Sequence, residues 1–374
     1  MTPGLAPTVS IVVVCTNERH HLETCLTSLI GQTYPNLEIL LVDNASTDGS
    51  VEYVSAVFPT VRIVSNASNL GYAGANNVGF QRATGELLAV LNPDTEVEPD
   101  WARQLVAAFD DAQVGMATSR ICHFTQRPLI NACGNGVHLS GFGYCRGYNQ
   151  PRERFDDAFD VAAVSGCAFM FRRDILIRTG GFDEAFFLYV EDTDLSMRVR
   201  LMGYRIRYVP DSVVYHKYSF RLTPRKFFLL ERNRSQLLVK AYRWSTLVEL
   251  VPTLLATSTL MWIYAAARGP SFLRAKLDAD LWLVRNWRSL MARRRQVQAS
   301  RAVSDAELLQ MCDVSLPLDQ IVGEHRPKVL DLATEVVYRT ASAPVRFLNR
   351  ALPSQQTDMR GASAPSTQAG ARPA

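Results

Sequence analysis

The sequence predicts an α/β protein: a mostly parallel, Rossmann-like sheet with helices on both faces. Three observations predict it. From Val9 onward, short β-branched apolar runs of strand length alternate with amphipathic stretches of helix length. Polar clusters stand directly after those runs, where ligands of parallel sheets collect. The 374 residues are 47% hydrophobic and 20% charged, an ordinary globular composition that can bury one large core and leave room for appendages.

The predicted strands are Val9–Val14 (VSIVVV), Leu37–Val42 (LEILLV), Val61–Val64 and Glu86–Leu91 (ELLAVL), with helices over Arg19–Ile30, Gly49–Phe58 and Ala73–Ala83 between them. Strand-to-strand crossovers through a helix make parallel neighbours. Residues 130–160, rich in Gly, Asn and aromatics, read as a ribbon or loop excursion. A strand over Cys167–Phe171 follows, then a helix from about Val190 to Met202 and two short strands, Arg205–Val209 and Ser212–Tyr215. Pro224–Arg243 reads as a strongly basic helix. Leu250–Ala267 has no charged residue for 18 positions, the lower limit for a spanning helix, although Pro252 and several Ser and Thr dilute it. Phe272–Arg295 sets apolar residues at 273, 277, 281, 284, 287 and 291, one stripe of a single helix. With eight basic residues between 268 and 295, such a helix suits a bilayer headgroup region, and an interfacial helix is favoured over a span. After Leu352 the composition is mostly Ser, Ala, Gly, Gln and Pro, expected to be disordered. The expected division is an α/β domain over 1–220, a basic and apolar membrane-associating region over 221–300, a helical segment over 301–350 and a tail over 351–374.

Charge is unevenly placed. Residues 1–220 carry 17 Lys and Arg against 24 Asp and Glu, whereas residues 221–295 carry 15 against 4. The basic block points to a polyanionic surface. Its Leu, Trp and Val are interleaved with the charges, which favours anionic lipid and disfavours nucleic acid. Seven scattered cysteines without CxxC pairs, behind an N-terminus lacking a leader's basic and apolar regions, read as buried thiols in a reducing compartment. Cys122, His123, Cys133, His138 and Cys145 match no zinc spacing and read as core and loop residues.

The chemistry-bearing residues lie at strand ends. Asp43, closing the second strand, can either accept the imide N–H of a pyrimidine or cap the next helix, a role open to Asp48 as well. Asp94 in Asn92-Pro93-Asp94 is placed to hold a hard divalent cation that bridges two phosphates, or to form a Pro-Asp turn. Asn69-Leu-Gly-Tyr-Ala-Gly-Ala-Asn-Asn77, with Asn69, Gly71 and Asn76, suits close backbone approach to a sugar or phosphate, yet fits neither the P-loop nor the dinucleotide fingerprint. Glu191-Asp192 opens an amphipathic helix after the aromatic run Phe186-Phe187-Leu188-Tyr189. Apolar walls raise a carboxylate's basicity, which suits a general base, and one helix cap needs only one of the three acids Glu191, Asp192 and Asp194. His216 ends the segment SVVYH.

In their order and spacing these segments resemble the family 2 glycosyltransferases of the GT-A fold, in particular the bacterial rhamnosyltransferase-like branch. The matching elements are VSIVVVCTNE, LVDNASTDGS, NLGYAGANNVG, LNPDTEVEPDW, GGFDEAFFLYVEDTDLSMRVRLMGYRI and VVYH, spanning about residues 8–220. The resemblance implies that Thr16 and Glu18 line the nucleotide site, Asp43 binds the base, and Asp94 is the metal-binding acid of a DxD element. It further implies Asp192 as the catalytic base beside Glu191, and His216 as a second ligand of Mg²⁺ or Mn²⁺. The DxD element departs from the pattern, since Asn92 stands where its first acid would be. The implied activity is inverting transfer of a sugar, first L-rhamnose, from a nucleotide diphosphate donor to a saccharide or polyprenyl-linked acceptor in surface polysaccharide assembly. It would take place in the cytoplasm at the inner face of the cell membrane. The alternatives are transfer to a polyprenyl phosphate itself and a non-catalytic sugar-nucleotide-binding assembly protein.

Overall fold

The computed structural model describes residues 6–219, 221–317, 320 and 328–345. The predicted alternation is present as β1 (Val9–Cys15), α1 (Arg19–Ile30), β2 (Leu37–Asp43), α2 (Ser50–Val57), β3 (Arg62–Ser65), α3 (Gly71–Arg82) and β4 (Leu87–Leu91). Then come β5 (Thr95–Val97), α4 (Trp101–Ala107), β6 (Val114–His123), β7 (Ile130–Ala132), β8 (Asn135–His138), β9 (Gly143–Cys145), β10 (Ala168–Arg172), α5 (Arg173–Thr179), α6 (Glu191–Leu201) and β11 (Arg205–His216). The order in the large sheet is β3-β2-β1-β4-β10-β6-β11-β5, with β7 beside β6. β3, β2, β1 and β4 run parallel, as do β6 and β11, but β10 lies antiparallel between β4 and β6. The two parallel groups therefore run in the same direction, with β10 reversed between them.

Helices cover both faces, so the parallel strands read as continuous apolar runs. On one face Val9, Ile11 and Val13 pack with Leu22, Leu26 and Leu29 of α1 and Trp101 of α4. On the other, Val12 and Val14 pack with Ala73 and Phe80 of α3 and Leu195 and Val199 of α6. Each such aliphatic side chain contributes about 1.5–3 kcal/mol on full burial. Trp101 is fully buried and satisfies its indole N–H on Ser119 Oγ at 2.8 Å, which in turn contacts Ser212 Oγ at 3.0 Å. The two short strands expected over 205–215 are one strand, β11. Its register against β6 slips between Val209 and Val213, where Pro210 has no N–H to give the ladder.

The C-terminal helices are α7 (Pro224–Ala241), α8 (Trp244–Glu249), α9 (Val251–Arg268), α10 (Pro270–Arg285), α11 (Trp287–Ala299) and α12 (Asp305–Leu309); β12 (Cys312–Asp313) and α13 (Lys328–Ala341) complete the described elements. Two corrections arise here. The helix expected over Phe272–Arg295 is broken at Asn286 into α10 and α11. The basic helix α7 leaves Arg225 exposed but turns much of its charge inward, because Arg232, Arg234 and Lys240 are buried. Lys240 Nζ reaches Asp183 at 2.5 Å and Asp194 at 2.8 Å, while Arg234 and Lys276 both pair with Glu231, at 3.0 and 3.1 Å. Composition counted Arg234, Lys240 and Lys276 but could not see that Glu231 of α7 and the acids Asp183 and Asp194 neutralise them. α7 shares a core with α6 through Met197, Leu201, Leu237 and Leu238. Among the described residues no helix is long and apolar enough to cross a membrane. The expected disordered tail lies outside the described residues.

Candidate active site

The carboxyl ends of β1 and β2 are stitched together by their loops. Asn17 and Ala45 both hold left-handed backbone, at φ 57° and 63°. Asn17 Oδ1 accepts the Thr47 N–H at 2.7 Å, and Asn17 N–H donates to Ser46 Oγ at 3.0 Å. Asp48 takes the capping role, accepting the Ser50 N–H at 3.1 Å and tying in the Arg19 N–H at 2.9 Å. Asp43, buried at the end of β2, is thereby released from capping and accepts the Ser46 N–H at 3.1 Å. Thr16 and Glu18 stand half-buried at the same mouth. Burial first, then the charges of Asp94 and Asp48, pushes the Glu18 carboxyl up to about 7.

Asp94 immediately precedes β5, and the antiparallel pairing of β5 with β11 sets His216 opposite Thr95. That register brings His216 Nε2 to 3.3 Å from Asp94 Oδ1. Its other nitrogen, Nδ1, lies 3.0 Å from Asn131 Oδ1, which leaves Nε2 facing the carboxylate. Burial works against the charge of Asp94, but the His216 hydrogen bond and the charges of His216 and His21 outweigh it and hold the carboxyl below its ordinary range. Lys217 donates its backbone N–H to the Asp94 carbonyl at 3.0 Å, and its Nζ lies 3.4 Å from His21 Nδ1. Sequence reading missed His21, Asn131 and Lys217, since nothing in their local pattern announces the β5–β11 pairing.

Among the described residues no three His, Cys, Asp or Glu converge on one point. Asp94 and His216 therefore offer two protein ligands at most. That donor set fits a Mg²⁺- or Mn²⁺-type ion that keeps waters and takes its remaining ligands from a diphosphate.

The Asn- and Gly-rich run is corrected in part. Asn76 is fully buried, donating Nδ2 to the Tyr72 carbonyl at 2.9 Å, and does not line the cleft. Asn69 Oδ1 caps the Gly71 N–H at 2.8 Å and meets Asn44 Nδ2 at 3.0 Å. Gly71, at φ 72°, is needed for another reason than phosphate approach. A Cβ there would lie 2.4 Å from the Phe187 carbonyl oxygen, so only glycine lets α3 meet the segment before Glu191.

That segment is strained. Phe187, Tyr189 and Val190 all have positive φ, of 63°, 70° and 69°, and Val190 is β-branched. The Leu188 N–H returns to the Phe186 carbonyl at 2.7 Å, closing a γ-turn at Phe187. Each such residue costs about 1–3 kcal/mol and persists only where its surroundings dictate it. The segment delivers Glu191 and Asp192 to the start of α6. Asp192 Oδ2 accepts the Gly166 N–H at 2.8 Å and Asn135 Nδ2 at 3.3 Å, and Oδ1 accepts the Thr193 N–H at 2.6 Å. Burial raises the Asp192 carboxyl, with these N–H groups opposing. Burial, then the charge of Asp192, pushes Glu191 well above its ordinary range, and its buried Oε2 has no hydrogen-bond partner among the described residues.

Adjacent residues join the two halves of the site. The Cys167 carbonyl accepts the Asn92 N–H at 2.9 Å, beside Asp94, while the Gly166 N–H holds Asp192. Asp192 and Asn92, two residues before Asp94, are thus held by neighbouring residues. Gly166 and Asn135 were not legible, because a glycine before a strand is a common turn signal.

Comparison with known proteins bears on the family and the fold. The family model described as Glycosyl transferase family 2 matches residues 10–180. The chain is similar to the N-acetylglucosaminyl-diphospho-decaprenol L-rhamnosyltransferase of Mycobacterium tuberculosis, 30% identical over 231 residues, covering 55% of this chain and 75% of that protein. It is also 30% identical over 212 residues to the O-antigen biosynthesis protein RfbC of Myxococcus xanthus, covering 54% of this chain but only 16% of that much longer protein. The crystal structure of GalNAc-T7 with UDP, GalNAc and Mn²⁺ superposes with a TM-score of 0.55 at 19% identity, over 74% of this chain and 55% of that one, a likeness of fold.

Proposed function

The chain belongs to the family 2 glycosyltransferases, and from that premise we propose that it transfers a sugar, L-rhamnose first, from a dTDP- or UDP-sugar with inversion. The acceptor is a saccharide carried on a polyprenyl diphosphate, and the reaction belongs to surface polysaccharide assembly. The rhamnosyltransferase and O-antigen relatives support this choice. One observation carries it: Asp192 and the Asp94–His216 pair stand on either side of the Gly166-Cys167 link. Asp192 takes the proton of an acceptor hydroxyl as that oxygen bonds to the anomeric carbon. The bond from that carbon to the diphosphate oxygen breaks, and the nucleoside diphosphate leaves with the electron pair. Asp94 and His216 would hold a divalent ion, which would supply charge stabilisation for the leaving diphosphate. Thr16, Glu18 and Asp43 line the nucleotide side, with Asn69 and Asn92 at its edge. A panel of nucleotide sugars incubated with the protein and Mn²⁺ tests the proposal. Slow release of nucleoside diphosphate from one donor is expected; failure to hydrolyse any donor would overturn it.

The membrane reading now rests on α8–α11. Val248, Val251, Leu255 and Ile263 are exposed on α8 and α9, and Leu277, Val284 and Trp287 on α10 and α11, with Val284 at 74% exposure. Leu277, Val284 and Trp287 fall on the apolar stripe from 273 to 291. Arg285, Arg288 and Arg295 stand exposed among them, and each cation near an anionic leaflet contributes about 1 kcal/mol. The full chain is therefore expected to sediment with phosphatidylserine-containing vesicles and to be released only partly by salt, which screens charge but not apolar contact. Val284→Asp combined with Trp287→Asp is expected to reduce the bound fraction at least about tenfold. Unchanged sedimentation of that variant would remove the stripe from the contact.

A further inference from the structure

Asn233, in the middle of α7, makes an unusual set of contacts for a helix-interior amide. Its Nδ2 lies 2.9 Å from the Phe186 carbonyl oxygen, 3.0 Å from that of Leu188 and 2.7 Å from that of Tyr189. Its Oδ1 is held by Arg232 Nε at 2.9 Å and Gln236 Nε2 at 3.1 Å, which fixes the amide with its donors toward the segment. Arg232 adds Nη2 contacts to the Ala185 and Phe186 carbonyls at 3.0 and 2.7 Å. These carbonyls belong to the strained stretch that ends at Glu191-Asp192, and its opposite side is pinned by the Ala73 N–H on the Phe187 carbonyl at 3.2 Å. Asn233 is fully buried, so water cannot replace what it gives.

We infer that Asn233, backed by Arg232, is a positioning residue for the reaction: it holds the left-handed Phe187–Val190 backbone so that Asp192 meets the acceptor hydroxyl. This rests on the reading of Asp192 as the base. It assigns a catalytic-site task to a helix beyond the segment matched by the family model, whose match ends at residue 180. A carbonyl-rich turn with three positive-φ residues has no reason to stay closed without donors aimed at it, and α7 supplies them. The effect should fall on turnover and leave the nucleotide side alone, because the residues there are anchored by α1, α2 and the β5–β11 pairing.

The test uses the full chain carrying Asn233→Ala, with Arg232→Lys as a milder second variant that keeps the charge but loses the planar fork. Hydrogen–deuterium exchange is expected to rise at least about tenfold in peptides covering residues 185–194 and to stay unchanged in β1 and β4. Affinity for UDP with Mn²⁺ is expected to remain within about twofold, while kcat for the donor hydrolysed by the wild type falls at least about tenfold with an unchanged donor KM. Unchanged exchange over 185–194 in both variants would overturn the inference, as would loss of nucleotide affinity in parallel with kcat, which marks general unfolding. If the wild type hydrolyses no donor, the proposed function fails on that result, while the exchange and UDP-affinity arms still decide the role of Asn233.

Discussion

Asp192→Asn is expected to lower sugar transfer by roughly 10²–10⁴-fold, the usual contribution of a general base. The structure adds a condition to that expectation. Both Asp192 oxygens accept N–H donors: Oδ2 from Gly166 and Asn135, Oδ1 from Thr193. An asparagine must turn its NH₂ toward one of these donors, whichever way it flips. One buried donor then loses its acceptor, at about 1–3 kcal/mol of stability. Activity must therefore be read beside melting temperature and nucleotide affinity. Transfer should fall by at least a hundredfold with UDP affinity within about threefold, since the base acts on the acceptor and not on the diphosphate. Retention of more than about a tenth of the wild-type rate would reduce Asp192 to an anchor for Gly166 and the start of α6. Glu191 provides the contrast. Burial and the charge of Asp192 both disfavour a charged Glu191, so Glu191→Gln, neutral and of the same shape, should keep most of the rate.

The N-terminal half of the fold was legible because its signals are local. Strands β1, β2 and β4 are buried on both faces, and such strands announce themselves as unbroken apolar runs. β6 was missed although nearly all of it is buried, because VGMATSRICH mixes Gly, Thr, Ser and Arg into a strand at the middle of the sheet. Its Ser119 serves the indole of Trp101 and its Arg120 pairs with Asp156, so the polar residues have partners that no periodicity reveals. β5 has three residues, too few for any pattern, yet its pairing is what sets Asp94 against His216. The same distinction divides the site. Asp94, Asp192 and His216 could be singled out by type and neighbourhood. Asn131, Asn135, Gly166 and Asn233, which orient them, come from distant segments and carry no local mark. Charge misled for a related reason: the basic block was real, but Arg234, Lys240 and Lys276 face inward against Asp183, Asp194 and Glu231, and Arg232 against the Ala185 and Phe186 carbonyls, so its outer part is smaller than the count implies.

Asp94→Ala and His216→Ala are each expected to cost on the order of a hundredfold in transfer, the scale of a lost metal contribution of several kcal/mol. The double variant should be little worse than either single one, since both side chains act through one ion. Non-additivity alone does not decide the matter, because the two also touch directly at 3.3 Å and a bare hydrogen bond would couple them too. The deciding measurement is UDP affinity with and without Mn²⁺. The wild type should gain affinity on adding the metal, and each variant should lose that gain while its metal-free affinity stays near that of the wild type. A direct contact without a metal predicts the reverse, with equal affinities in the presence and absence of Mn²⁺ for every form. The surroundings favour the first outcome. Glu18 rises to about 7 chiefly through burial and then through the charges of Asp94 and Asp48, so negative charge does gather beside the proposed ion site. A divalent ion there would pull Glu18 back toward its ordinary range. Excess chelator should accordingly abolish transfer by the wild type, and full activity in chelator would return Asp94 and His216 to holding β5 against β11.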